Sequence, residues 1–235
     1  MIQFMSHASG SSGNLCSVTD GQSRLLIECG LRIKEIRRAL GFSLSSVSGA
    51  LLSHDHGDHA KAADDVMKAG ADLYTSAGTA QALGLSGHRL HIIRALEQFH
   101  VGPWTILPFD TRHDAPEPLS FLIAHREGER LLYVTDTAYV PYRFKGLTII
   151  AIEANYSMDL IRQNVASGAM PLAHKNRVMR NHMSLERLLD FLRANDLSQV
   201  RELHLLHLSD ANADAELFRR RVQELAGKPV YVAQK

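Results

Sequence analysis

The stretch Ala50-Leu51-Leu52-Ser53-His54-Asp55-His56-Gly57-Asp58-His59 runs from apolar residues straight into an H-x-H-x-D-H cluster. Three imidazoles and two carboxylates in six residues form a donor set suited to metal chemistry. In an extended segment side chains two apart point the same way, so His54 and His56 can close on one cation. Gly57 permits a tight reversal that turns Asp58 and His59 toward a second site. Imidazole nitrogen with carboxylate oxygen suits Zn²⁺ and is tolerated by Mn²⁺ or Fe, and separate ligand pairs point to two metals. A polar loop in a chain with 13 His is the plain alternative, so the surrounding sequence has to decide.

Outward from the cluster, 50–52 reads as a buried strand and 61–69 as a helix stopped at Gly70. Strands over 2–4, 15–18 and 24–28, joined by the loop Ser9-Gly10-Ser11-Ser12-Gly13-Asn14 and the turn Thr19-Asp20-Gly21-Gln22, predict an antiparallel opening. That loop could offer N–H groups to an anion, although connecting strands is its ordinary role. A surface helix follows over 32–41, with Ile33, Ile36, Arg37 and Leu40 at helical spacing. Beyond the cluster, strands are expected over 72–74, 91–93, 99–101, 104–109, 119–125, 130–134, 147–152, 201–207 and 230–233. Helices are expected over 77–83, 158–165, 184–194 and 214–225, with an irregular stretch up to 181. His88, His91 and His100 have no chemical partners nearby and read as structural. His113, Asp136 and Glu153 each fall at a strand end, and His182 stands just before a helix that Ser184 would cap. Alternation over 201–207 puts Leu203, Leu205 and His207 on one face and His204 on the other, so only one of the two imidazoles can face a given site.

Length and composition bound the class. The chain has 235 residues, enough for a substantial core and best fitted by a single domain over 1–235. With 26 Lys+Arg against 25 Asp+Glu the net charge is +1, so no global basic field drives nucleic-acid binding and any polyanion must meet a local patch. No apolar run is long enough to span a bilayer, and the opening residues turn polar at Ser6, His7 and Ser9, unlike a secretory signal. No membrane association is expected, and the location expected is the cytoplasm. Cys16 and Cys29 are too few for a disulfide framework and read as buried thiols. Nothing in the residue pattern sets an oligomeric state.

The order His54/His56/Asp58/His59, then His113, Asp136 and His207, resembles that of the metallo-β-lactamase fold superfamily. The resemblance implies an α/β fold, an αββα four-layer sandwich of two mixed β-sheets flanked by helices. It also implies a ligand set: His54, His56 and His113 on one metal, Asp58, His59 and His207 on the other, and Asp136 between them. Two divalent transition-metal ions, Zn²⁺ or Mn²⁺, would be the cofactors. Ser9-Gly10-Ser11-Ser12-Gly13-Asn14, Glu153-Ala154-Asn155, His182-Met183-Ser184 and His207-Leu208-Ser209 are similar to the YycJ-like exonuclease subfamily over nearly the whole chain. Departures are Glu28 for an Asp before the Cys-Gly pair, Asn181 for a Gly before His182, and Leu185 for an Asn. They bear on the loop around His182 and hence on substrate. A paired Glu and His-x-Ser also occur in the related tRNA 3′-processing enzymes, which implies that His182, supported by Glu153, contacts the scissile phosphate or assists the leaving oxygen.

The expected activity is hydrolysis of a phosphodiester by a metal-bridged hydroxide, because two cations can stabilise hydroxide near neutral pH while Asp58 orients it. His182 would act as acid, with Glu153 favouring its imidazolium. Lys175, Arg177 and Arg180, with Ser184, are candidate phosphate contacts, a solvated loop being the alternative for the cations. A DNA exonuclease-like activity is expected, the main alternative being a phosphodiesterase on a small molecule or cyclic nucleotide. A lactamase or thioesterase gives no reason for the Glu153/His182 pair. A metal-binding module without catalysis gives none for retaining Asp58 and Asp136.

Overall fold

In the computed structural model, which describes residues 1–42 and 44–234, the chain divides into two compact units. The first comprises residues 1–110, 115–129 and 234, and the second 111–114 and 130–233.

The first unit opens with β1 (Gln3–Ala8), β2 (Leu15–Thr19) and β3 (Arg24–Ile27), paired antiparallel in that order. The turn between β2 and β3 is fixed by Asp20, whose carboxylate accepts the N–H groups of Gln22 at 2.8 Å and Ser23 at 2.6 Å. After α1 (Ile33–Ala39) the chain adds β4 (Val47–Leu51) parallel to β3. Next come α2 (Gly57–Ala60) and α3 (Ala63–Lys68), then β5 (Leu73–Thr75), α4 (Ala77–Ala82) and β6 (Leu90–Ile92), with β4, β5 and β6 parallel. This sheet is therefore mixed. Its helical side is closed by Leu15, Leu26, Ile36, Leu52, Val66 and Leu73, all fully buried, so the strand carrying the histidine cluster is anchored in an apolar core. The helix expected over 61–69 is α3, and a further short helix, α2, precedes it, with Gly57 opening that helix in place of making a reversal. The strands β7 (Phe99–Val101), β8 (Trp104–Asp110) and β9 (Leu119–His125) form an antiparallel meander belonging to the second sheet.

The second unit holds four parallel strands, β10 (Arg130–Val134), β11 (Ile149–Glu153), β12 (Glu202–Leu206) and β13 (Val230–Val232). Leu131–Val134 and Ile149–Ile152 are buried without alternation, as strands covered on both faces must be. The crossover from β11 to β12 holds α5 (Met158–Ala166), α6 (Leu172–Asn181) and α7 (Leu185–Ala194), and α8 (Ala215–Ala226) joins β12 to β13. The α6 segment had read as irregular. Its helix begins after Pro171, where a proline costs nothing because the first N–H groups of a helix lack intrahelical partners, and it buries little beyond Val178 and Asn181. Two mixed β-sheets flanked by helices make this an α/β fold. No helix among the described residues is long and apolar enough to cross a membrane, and Cys16 and Cys29 are buried and unbridged.

Candidate metal centre

In the first unit, β4 delivers the cluster at its C-terminal end. The rings of His54 and His56 lie 4.7 Å apart, those of His54 and His59 4.2 Å apart, and Asp58 Oδ2 is 3.5 Å from His59 Nε2. Loop Ser9–Asn14 supports it from below, since Asn14 Nδ2 lies 3.2 Å from the Asp58 carbonyl, 3.3 Å from its carboxylate and 3.0 Å from His59 Nε2. The loop can come this close only because residue 30 is glycine. A Cβ there would sit 1.7 Å from the Asp58 carbonyl oxygen. On the other edge of the His59 ring, Nδ1 is 3.5 Å from the wholly buried Glu28 carboxylate, and His54 Nδ1 is 2.8 Å from Ser53 Oγ. Such partners fix the orientation of a ligating imidazole and leave its other nitrogen directed at the metal.

In the second unit three parallel strands deliver Asp136, Glu153 and His207 at their C-terminal ends, where α/β sheets commonly bind ligands. Asp136 divides its carboxylate: Oδ2 is 3.6 Å from His113 Nε2, and Oδ1 is 3.4 Å from His207 Nδ1. The backbone carbonyl of Asn181, 3.1 Å from His113 Nδ1, can only accept, so Nδ1 carries the proton and Nε2 presents its lone pair toward Asp136. Burial lowers the His113 pKa against the pull of Asp136, which favours the neutral ring. A lone pair and a carboxylate oxygen facing one another at this distance are suited to a cation. Ligand atoms of Asp136, Glu153, His182 and His207 all lie within 4.8 Å of one another; Glu153 and His182 are paired with each other, which leaves Asp136 and His207 as the donors suited to a divalent metal.

His182 belongs to the same group in a different way. Its Nδ1 is 2.6 Å from Glu153 Oε1 and 3.7 Å from Asp136 Oδ1, while Glu153 Oε2 accepts the N–H groups of Thr137 and Met183, each at 3.1 Å. Glu153 is completely buried. Burial would raise its pKa, but the neighbouring His182 overrides this and holds the carboxylate below its ordinary value. For His182 burial acts downward and Glu153 upward, and the net effect raises the imidazole pKa. Asp136 and His207 adopt left-handed backbone, with φ of 44° and 54°, as does Glu28 at 69°. Non-glycine residues seldom adopt this conformation, and Phe42, Leu96 and Glu117 are the other described residues that do.

A family model described as a beta-lactamase superfamily domain matches residues 23–208, most of the chain. The chain belongs to the metallo-β-lactamase superfamily. Within the superfamily, the chain is 26% identical over 239 residues to Exodeoxyribonuclease YycJ of Bacillus anthracis, covering 95% of this chain and 89% of that protein. It is 29% identical over 227 residues to Exodeoxyribonuclease WalJ of Streptococcus pneumoniae, covering 89% and 82%. In structure it resembles the metallo-β-lactamase fold protein YhfI of Bacillus subtilis, with a TM-score of 0.76, 15% identity, and coverage of 99% and 96%. The sequence resemblance therefore identified the superfamily and its fold.

Among the other residues singled out in this superfamily member, His204 turns away from Asp136 and stacks on Tyr231 at 5.2 Å, so the last strand brings His207 to the carboxylate. Lys175, Arg177 and Arg180 lie on α6. At roughly 100° per residue, Arg177 and Arg180 share one side and Lys175 points roughly 140–160° away. Arg177 Nε is 3.4 Å from Asp114, and the Ser184 hydroxyl caps α7 by accepting the Arg187 N–H. His91 stacks on Tyr74 and His100 lies 3.0 Å from Thr105 Oγ1. Sequence reading gave no role to Ser53, Asn14 or Asn155, whose Nδ2 lies 3.2 Å from His207 Nδ1. The one available signal was their position, each a short polar residue beside a ligand or inside a quoted motif.

Proposed function

We propose that this chain is a single-domain, metal-dependent phosphodiester hydrolase that degrades DNA as an exonuclease in the cytoplasm. Zn²⁺ or Mn²⁺ would be held by His54, His56 and His113 at one position and Asp58, His59 and His207 at the other, with Asp136 shared. One observation carries the reading: the Asp136 carboxylate offers one oxygen toward His113 and the other toward His207, with the Glu153–His182 pair beside it. A carboxylate so divided suits two cations, and a raised-pKa histidine at the same carboxylate suits protonation of a departing oxygen. The exodeoxyribonuclease names of the two relatives support the substrate class.

The metals, when bound, supply a nucleophile at neutral pH and neutralise charge on the phosphate. The protein's own groups do the rest. Asp58, steadied by Asn14, orients the attacking oxygen, and Glu28 and Ser53 hold the rings of His59 and His54. His182 delivers its proton to the leaving oxygen, with Glu153 keeping Nδ1 protonated and the ring turned. Arg177 and Arg180, with Ser184, are the proposed contacts for substrate phosphate, while Lys175, on the other side of α6, contributes little. Buried free thiols accord with a reducing compartment.

The test is the purified protein, supplied with Mn²⁺ or Zn²⁺, against end-labelled single- and double-stranded DNA, RNA and a cyclic dinucleotide. Stepwise shortening of DNA from one end is the expected result. Turnover of the cyclic dinucleotide with every oligonucleotide left intact would overturn the nuclease reading in favour of a small-molecule phosphodiesterase.

A further inference from the structure

A cavity of about 360 Å³ lies in the second unit between residues 139–143 and the exposed side of α7. Its walls carry Tyr139, Tyr142 and Phe191, and its rim carries Arg143, Arg187 and Asp190. The Arg112 guanidinium sits 4.7 Å from the Tyr139 ring centroid. Arg187 is braced by donating Nη1 to the Ala138 carbonyl at 2.8 Å. Asp190 is engaged by Arg193 at 2.8 Å, which leaves the balance of charge at the rim positive. Arg143 is exposed and has no ion-pair partner among the described residues.

We propose that this cavity is a stacking subsite for a base next to the scissile phosphate, taking single-stranded polynucleotide. The inference rests on the phosphodiesterase reading above and names where its substrate lies. Aromatic faces flanked by cations are the recurring chemistry for unpaired bases, because every base presents a π-face and every nucleotide a phosphate. A volume of 360 Å³ is at the small end of ligand sites, roughly 300–1,000 Å³, which admits a nucleoside but no base pair. Both walls lead out of the candidate centre. Tyr139 follows Asp136 by three residues, which limits their Cα separation to about 11 Å, and Arg187 stands five residues after His182. The base held there therefore belongs to a nucleotide close to the reacting one. A base still paired in a duplex is stacked on its neighbours and offers no free face, so entry requires a single strand.

The probe is a single-stranded oligodeoxynucleotide with 2-aminopurine near its end, bound to metal-loaded full-length protein and read by fluorescence anisotropy and 2-aminopurine quenching. Tyr142→Ala should weaken binding roughly 5- to 100-fold and abolish the quenching, and Tyr142→Phe should restore both. Arg143→Glu, at an exposed position that does not threaten folding, should weaken binding and flatten its salt dependence. Matched melting curves separate these effects from unfolding. The ratio of kcat/KM for the oligonucleotide to that for bis(p-nitrophenyl) phosphate should fall about tenfold or more in both weakened variants. A single-stranded RNA arm tests whether the sugar matters, and equal loss on a DNA duplex would overturn stacking as the cause. If wild type cleaves the oligonucleotide while Tyr142→Ala and Arg143→Glu bind it within twofold of wild type, the subsite is overturned and the nuclease reading stands. Binding with quenching but no cleavage would do the reverse. A wild type that binds no oligonucleotide overturns both.

Discussion

His182 and the proposed ligands should respond differently to truncation. His182→Ala should leave metal content near wild type while kcat falls about 10²-fold, the usual scale for a positioned acid. Metal analysis beside steady-state kinetics checks this, and unchanged turnover would remove His182 from the chemistry. Asp136→Ala should instead lose most of one or both metals, whereas His204→Ala should keep them, since His204 packs against Tyr231. Glu28→Ala tests the support behind His59: loss of the carboxylate 3.5 Å from Nδ1 should weaken metal affinity about 10- to 100-fold, measured by competition with a chelating dye. The proposed donors stand out in the sequence because four of them fall within six residues and the others lie at the ends of apolar runs. Their supports were not. Glu28, Asn14 and Asn155 matter only through neighbours that folding supplies from 31, 44 or 52 residues away.

Elements show the same division. The cap at Ser184 can be read from residue type, and its side chain does accept the third N–H of α7, as the Asp214 side chain does for α8. The α6 helix is not legible in the sequence because its apolar residues, Leu172, Ala173, Val178 and Met179, are too widely split to give a helical period, so its basic residues read as one patch. Helix geometry separates them: Arg177→Ala/Arg180→Ala should weaken oligonucleotide binding and reduce its salt slope, while Lys175→Ala should change either little, as anisotropy at two salt concentrations would reveal. Equal effects from Lys175 would mean that this side of α6 does not face the strand. The β2–β3 turn carries a pH prediction. Burial acts to raise the Asp20 pKa, but the N–H groups of Ser23 and Gln22, with the Ser23 hydroxyl and His125, bring it from 3.8 to about 2. A carboxylate depressed in the folded state stabilises fully above its unfolded value and loses that contribution as pH falls toward the folded one. Wild type should therefore lose stability between about pH 4 and pH 2. Asp20→Ala, less stable by about 1 kcal/mol at neutral pH, should show a flatter denaturant midpoint across that window.

At the scale of the whole molecule, a bound metal stabilises the folded chain by mass action, by about 2.7 kcal/mol when free metal exceeds Kd a hundredfold. Chelator should lower Tm and excess metal restore it, and a Tm indifferent to both would argue against tight sites. The architecture was legible because strand-end donors in a recognisable order imply one fold family. The division into two compact units was not, since no linker, repeat or change of composition marks it. The left-handed backbone at Glu28 and Asp136 has an evolutionary side. One nucleotide change converts either codon to glycine, which adopts that conformation without the penalty of about 1 kcal/mol borne by other residues. At Asp136 the same change removes an anion that sits against Glu153. A library sorted for cellular abundance under metal starvation should therefore enrich glycine at 136, while one sorted for turnover should purge it, so a lineage released from its substrate would drift first at the residues on which hydrolysis most depends.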